Sequence, residues 1–140
     1  MLPDHVENLE LTGYGPSSGG GNALDNVITG NAGANRFTGG AGSDTFNYDM
    51  LDIYADAITD FQTGVGGDRL DLRDLLPGYA INPGNVSNYV RLTGSASHVD
   101  VAIDTDGVGG DFVTLARLEN VAMSASLLNN LLADGNLLVA

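Results

Sequence analysis

The sequence predicts an all-β chain: a short parallel β-roll continued by a β-rich C-terminal cap with a short terminal helix. Three observations lead there. Twenty Gly, thirteen Asn and fifteen Asp make the chain unusually rich in turn-forming residues. Bulky apolar residues recur every nine positions at Ile28, Phe37 and Phe46. Further along, short apolar stretches alternate with polar residues in the manner of half-buried strands.

The repeats are three gapless nine-residue units, Gly21–Thr29, Gly30–Thr38 and Gly39–Asn47. In each, Gly comes first, Ala third, Asn or Asp sixth and a large apolar residue eighth. A flexible Gly-rich linker would not hold Ile28, Phe37 and Phe46 in one column. Upstream, Leu9 and Leu11 share one face of a strand expected within Val6–Thr12. Gly13 to Gly20 reads as an irregular loop closing the N-terminal edge. Downstream, Ala57–Phe61 and Arg69–Leu72 read as strands across a loop containing Gly64, Gly66 and Gly67, and Arg73–Leu76 as one helical turn stopped by Pro77. Tyr89–Thr93, His98–Asp104 and Phe112–Val121 are three more expected strands; in the second, Val99, Val101 and Ile103 alternate with polar residues. Ser124 or Ser126 is placed to cap a helix carrying Leu127, Leu128, Leu131 and Leu132 on one face, with Gly135 as its left-handed stop. Asn136–Val139 then runs out apolar. The expected organisation is 1–48 for the strand and roll repeats, 49–123 for the β-rich cap, and 124–140 for the helix and tail.

Length and charge bound the function. At 140 residues and 14.4 kDa, one domain is expected, burying roughly 70% of its unfolded surface. Fifteen Asp and three Glu face five Arg and no Lys, a formal charge of −13. Nucleic acid and anionic membrane surfaces are therefore poor partners, because repulsion opposes every encounter. The lack of Lys removes P-loop and Schiff-base chemistry, and the lack of Cys removes disulfides, thiolates and Cys-type zinc sites. No apolar run reaches the roughly 18 residues of a membrane span. Met1–His5 has neither the basic nor the apolar segment of a cleavable signal, so any export address is expected elsewhere. The remaining chemistry is that of a hard cation with oxygen ligands.

Gly39-Gly40-Ala41-Gly42-Ser43-Asp44 suits Ca²⁺ for a simple reason. Glycines at positive φ turn successive carbonyls inward, and the Asp carboxylate completes an oxygen cage of about 2.3–2.6 Å. Two units make one coil, so an ion would sit between turns eighteen residues apart, as Asn26 and Asp44 are. The candidate donors are the first, third and sixth residues of each unit: Gly21, Ala23 and Asn26; Gly30, Ala32 and Asn35; Gly39, Ala41 and Asp44. In the first two units Asn22 and Asn31 replace the second Gly, Leu24 replaces the fourth Gly of the first unit, and Asn26 and Asn35 replace the acid. Weaker calcium binding is expected there, with one turn open to vacancy.

These residues resemble the calcium-binding nonapeptide repeats of RTX proteins, the parallel β-roll near the C-terminal ends of many secreted Gram-negative proteins. Asp56-Ala57-Ile58-Thr59-Asp60-Phe61 with Asp68-Arg69-Leu70-Asp71-Leu72 is similar to the segment that follows the repeats in serralysin-type proteases and RTX adhesins. That likeness implies Asp60 and Asp68 as ligands or frame of a further ion; the alternative is that Asp60 and Asp71 only cap turns. A third acidic loop, Asp104-Thr105-Asp106-Gly107-Val108-Gly109-Gly110-Asp111, offers Asp104, Asp106 and Asp111 to calcium, or is a plain hairpin turn. It begins like an EF-hand but has Leu115 where the bidentate Glu belongs.

Catalysis is not expected. Gly15-Pro16-Ser17-Ser18-Gly19 fits G-x-S-x-G, but Ser17 is followed by Ser-Gly-Gly-Gly-Asn, which no helix would use. His5 and His98 are isolated. The whole chain resembles the C-terminal target domain of type I secretion. The resemblance implies a non-catalytic, monomeric, calcium-dependent folding module that ends a secreted or cell-surface RTX adhesin of the biofilm type. Its partners would be an ABC transporter, a membrane-fusion protein and an outer-membrane channel, which read the uncharged tail. Two alternatives stay open: the same module in an RTX protease or lipase, and a calcium-dependent domain binding carbohydrate or a surface.

Overall fold

The computed structural model describes residues 1–51 and 53–140. The roll strands are β1 (Asn8–Glu10), β2 (Ser18–Gly20), β3 (Val27–Thr29), β4 (Arg36–Thr38), β5 (Thr45–Asn47), β6 (Asp56–Ile58) and β7 (Arg69–Asp71). A 3₁₀ turn at Val86–Asn88 leads to β8 (Val90–Gly94), β9 (His98–Ile103) and β10 (Val113–Glu119). Helix α1 (Leu127–Ala133) and strand β11 (Leu137–Leu138) end the chain.

The strands alternate between two sheets. One is parallel throughout, in the order β1-β3-β5-β7-β11; the other runs β2-β4-β6-β10-β9-β8. The eighteen-residue coil read from the repeats is the register itself: Ile28 lies opposite Phe46, and Ser18 opposite Arg36. An apolar eighth residue in each unit therefore stacks on its counterpart one coil away. Ile28, Phe46, Leu70 and Leu137 form one column; Phe37, Ile58 and Leu118 form the facing one. All seven are at most 3% exposed, and each buried Phe, Leu or Ile contributes about 1.5–3 kcal/mol. The Phe37, Phe46 and Phe61 rings step through the core at centroid spacings of 6.1 Å.

Beyond β6 the second sheet changes direction. β10 pairs parallel with β6, then antiparallel with β9, which pairs antiparallel with β8. Val99, Val101 and Ile103 point inward as their alternation requires. The outer face carries ion pairs across strands, Arg117 to Asp100 at 2.7 Å and Arg36 to Glu119 at 2.8 Å.

Three local expectations are corrected. Ser18–Gly20 is a strand rather than part of an irregular loop. Gly19 lies in register with Phe37, and a Cβ there would approach Leu9 Cδ2 to 2.6 Å. The N-terminal coil thus fills its core from Leu9, whose methyl group a side chain at position 19 would displace. The α1 cap is the second: Ser126 precedes the helix but makes no side-chain capping bond, and Leu127 N–H donates instead to the Ser124 carbonyl at 3.2 Å. The third is the tail. After Gly135 at φ +79°, residues 137–138 join β7 as a parallel strand with Leu137 and Val139 buried.

Candidate metal centre in the stacked turns

Because strands alternate between sheets, the turns collect at two ends of the roll. The β2–β3 and β4–β5 turns, Gly21–Asn26 and Gly39–Asp44, stack at one end together with the β6–β7 turn that holds Asp60 and Asp68. The β3–β4 turn, Gly30–Asn35, lies at the other. The nonapeptide candidates are thus divided: Gly21, Ala23, Asn26, Gly39, Ala41 and Asp44 come together, and Gly30, Ala32 and Asn35 do not join them. Asp104, Asp106 and Asp111 lie apart, in the β9–β10 loop.

At the first end the residue before each strand forms a buried ladder, Asn26, Asp44, Asp68 and Asn136, each no more than 1% exposed. Asp44 Oδ1 accepts the Asn26 N–H at 2.9 Å, and Asp68 Oδ1 accepts the Asp44 N–H at 3.0 Å. Asp68 Oδ2 accepts the Gln62 N–H at 2.8 Å. Asn136 closes the ladder by donating Nδ2 to the carbonyls of Asp68 at 2.7 Å and Gly64 at 3.0 Å. Asp60 grips the turn below with both oxygens, from Gly39 N–H at 2.8 Å and Gly40 N–H at 2.9 Å. Every oxygen of Asp60 and Asp68 is engaged. Asp44 Oδ2 is buried and has no partner.

The glycines of these two turns lie hard against oxygens. A Cβ on Gly39 would strike Asp44 Oδ2; one on Gly21 would strike Asn26 Oδ1 and the Gly39 carbonyl; one on Gly40 would strike the Asn22 carbonyl. A Cβ on Gly42, at φ +111°, would come within 2.8 Å of the Leu24 carbonyl and 2.9 Å of Asp25 Oδ1. The glycines leave room for carbonyl, carboxamide and carboxylate oxygens, the kind of donor a hard cation takes; of these, Asn26 Oδ1, the Asn22 carbonyl and Asp25 Oδ1 accept N–H bonds from Asn22, Ala41 and Ser43. Burial, with Asp68, Asp60 and Asp25 nearby, pushes the Asp44 carboxyl up to about 6 from 3.8 against the pull of the Asn26 N–H. Burial likewise raises Asp68. Among the described residues no three His, Cys, Asp or Glu side chains cluster to hold a metal, so main-chain carbonyls would supply most of the ligands. Asp25 was missed from the sequence because it is the fifth residue of its unit; its Oδ1 accepts the Ser43 N–H of the next turn at 2.8 Å.

At the other end Asn35 takes the place of the acid. Its N–H and Nδ2 both donate to Asp56 Oδ1, at 2.8 and 3.1 Å, while its own Oδ1 is buried without a partner. Asp56 is 6% exposed; its register with the preceding turn is set by an insertion, since Arg36 pairs with Ala57, twenty-one residues on. That offset hid it from the nine-residue reading.

The remaining candidates are built differently. Asp104 accepts N–H bonds from Asp106 and Gly107 on Oδ1, both at 3.1 Å, and from Gly109 on Oδ2 at 2.9 Å. Asp106 Oδ1 accepts Val108 N–H at 2.9 Å, and Asp111 is exposed. This loop is closed by its own amides. Asp71 is a cap held by Arg73 at 2.6 Å, a contact that keeps its carboxyl below the usual range. Ser17 donates to the Gly15 carbonyl at 3.3 Å and precedes β2 with no helix after it, while His98 Nδ1 meets Ser95 Oγ at 3.2 Å.

No family model matches the chain, and no curated protein matches it. Among solved structures it is similar to the AlgE6R3 subunit of the mannuronan C5-epimerase of Azotobacter vinelandii, determined in solution. The identity is 21% over 95% of this chain and 78% of that one, with a TM-score of 0.48. No described helix is long and apolar enough to cross a membrane.

Proposed function

We propose that this chain is a calcium-dependent folding module of the RTX kind, non-catalytic in itself, that carries the C-terminal type I secretion signal of a secreted or cell-surface adhesin. The observation that supports it most is Asp44 Oδ2, a buried carboxylate oxygen with no partner, set against Gly39 in stacked turns whose glycines leave room for carbonyl oxygens. A buried charge with no counter-charge is a heavy cost to a fold, which a cation held by the Gly21–Asn26 and Gly39–Asp44 turns would remove. Calcium supplies positive charge and flexible oxygen coordination there; Asp44 gives the carboxylate, Gly39 and its neighbours hold the carbonyls, and Asp60 fixes the turn from outside.

Calcium that binds only the native state stabilises it by about 2.7 kcal/mol per site at a hundredfold excess over Kd. Adding Ca²⁺ to the chelated chain should raise the β signal in far-UV circular dichroism and the melting temperature, with matching heat in calorimetry. A chain equally folded and equally heat-stable in chelator overturns the reading.

The export role rests on the tail. From Val121 to Ala140 the only charged side chain is Asp134, as in the resemblance drawn from the sequence. In the fold this stretch packs as α1 and β11, so transport machinery would read it only before folding. Deleting Leu127–Ala140 should abolish export of a fused passenger through an ABC transporter, membrane-fusion protein and outer-membrane channel; normal export of the truncated fusion refutes the assignment.

A further inference from the structure

We infer that Asn22 and Asn31 are carboxamide brackets standing where an ion would otherwise hold two coils together, so that the first junction of the roll closes without metal. Asn22 Nδ2 donates to the carbonyls of Pro3 and Val6, each at 2.8 Å. Asn31 Nδ2 donates to the carbonyls of Thr12 and Gly15, each at 3.1 Å. In both cases the acceptors lie nineteen and sixteen residues upstream. The same device is therefore built twice, once at each end of the roll. Its orientation is fixed, because Asn22 Oδ1 accepts the Leu24 N–H and Asn31 Oδ1 the Gly33 N–H, both at 2.9 Å.

An amide nitrogen with two polarised hydrogens does for a pair of carbonyls what a cation does, without leaving a net charge. The next turn shows the alternative. Gly40 holds the same second position, and any Cβ there would strike the Asn22 carbonyl, so no bracket can form. There the sixth residue is the acid Asp44 with its partnerless oxygen; in the bracketed turns it is Asn26 or Asn35. Bracket with neutral sixth residue, and glycine with acidic sixth residue, are two solutions of one junction. The comparison with an ion rests on the calcium reading of the Asp44 turn, whereas the bracket does not.

The test uses the whole chain with Asn22→Ala, Asn22→Asp and the exposed control Asn88→Asp. Denaturation midpoints are followed over a series of calcium concentrations and in chelator, with sucrose added to bring the metal-free fold into range. Asn22→Ala should lower the midpoint at every concentration and leave its calcium dependence unchanged. Asn22→Asp should lose more than Asn22→Ala in chelator, because a carboxylate then faces two carbonyls, and should take up one additional ion on folding. Under saturating calcium, the Asn22 and Asn31 side-chain amide protons should exchange with water at least about tenfold more slowly than those of Asn88. Midpoints for both Asn22 variants equal to the control, or Asn22 and Asn31 amides exchanging as fast as that of Asn88, overturn the bracket. A wild-type midpoint indifferent to calcium would instead overturn the calcium reading, and the chelator and exchange results would still decide the bracket.

Discussion

Asp44→Asn separates a metal ligand from a structural hydrogen-bond acceptor, because the two roles give opposite signs in the absence of metal. The folded chain raises the Asp44 carboxyl from 3.8 to about 6, so at pH 7 the metal-free fold holds an ionised group that it disfavours. About 2 units at about 1.4 kcal/mol each is close to 3 kcal/mol as an upper bound, which the high effective permittivity of real protein sites brings to about 1–2 kcal/mol. Asparagine removes that repulsion and keeps Oδ1 for the Asn26 N–H. Its amide would sit as the Asn26 amide does one coil below, where Nδ2 reaches the Val6 carbonyl at 3.3 Å. In chelator the variant should therefore be the more stable by about 1–2 kcal/mol. In calcium at a hundredfold excess the wild type gains about 2.7 kcal/mol and the variant does not, so the order reverses. Urea denaturation followed by circular dichroism, in chelator and in calcium, reads both signs. A variant destabilised equally in the two conditions would make Asp44 an ordinary acceptor and remove the chief support for the calcium reading.

Three further outcomes follow from the same turns. A carboxyl raised by folding binds its proton first in the native state, so the metal-free fold should gain stability as pH falls from about 6 towards 3.8. Calcium needs the ionised form, so its affinity should be about tenfold weaker at pH 5 than at pH 7; calorimetric titration with flat affinity over that range counts against Asp44 as a ligand. Gly40→Ala combines φ +103° with a collision against the Asn22 carbonyl, whereas Gly64→Ala has φ +98° and open space. The first should cost about 2–3 kcal/mol in denaturation and the second about 1, and equal costs would show that the two turns do not stack closely.

The roll was legible because its signal is periodic. Ile28, Phe37 and Phe46 gave the nine-residue period, which the fold divides between two facing columns, and the eighteen-residue offset gave the register that the strands adopt. The readable part ended where the period did. Asp56 falls twenty-one residues from Asn35, and Asp68 twenty-four from Asp44, so neither could be aligned by counting. Ser18–Gly20 carries no side-chain pattern; it is a strand because its neighbour β4 offers backbone partners and Leu9 fills its core position. Asn136 belongs to the Asp44 ladder across most of the chain, a relation that only the pairing of β11 with β7 creates. Asn22 and Asn31 stood out in the sequence as departures from a motif, but their acceptors at Pro3, Val6, Thr12 and Gly15 are main-chain atoms, which sequence does not display.

The two halves of the molecule differ in how they can begin to fold. The strands β8, β9 and β10 form an antiparallel meander whose β8–β9 turn spans only Ser95–Ser97, so its first contacts close short loops at small entropic cost. Its core of Val90, Leu92, Val99, Val101, Ile103 and Leu118 is apolar. Its one buried acid, Asp104, is bonded by three backbone N–H groups. The roll has neither advantage: its strands pair across eighteen residues or more, and Asp44 keeps an oxygen without a partner. High sequence separation slows folding, and an unpartnered buried charge opposes it. The meander should therefore form first and without calcium, and offer the β10 edge on which β6 docks, with the coils added as the ion binds. The order also agrees with the proposed export from the C-terminus, in which the meander leaves the channel before the roll. Pulse-labelled hydrogen exchange should find the Val99 and Val101 amides protected early, in calcium and in chelator alike. The Phe46 and Leu70 amides should become protected later and only in calcium. Protection of all four in one step, with the same dependence on calcium, would show that the chain folds as a single unit and that the ion acts on the whole of it.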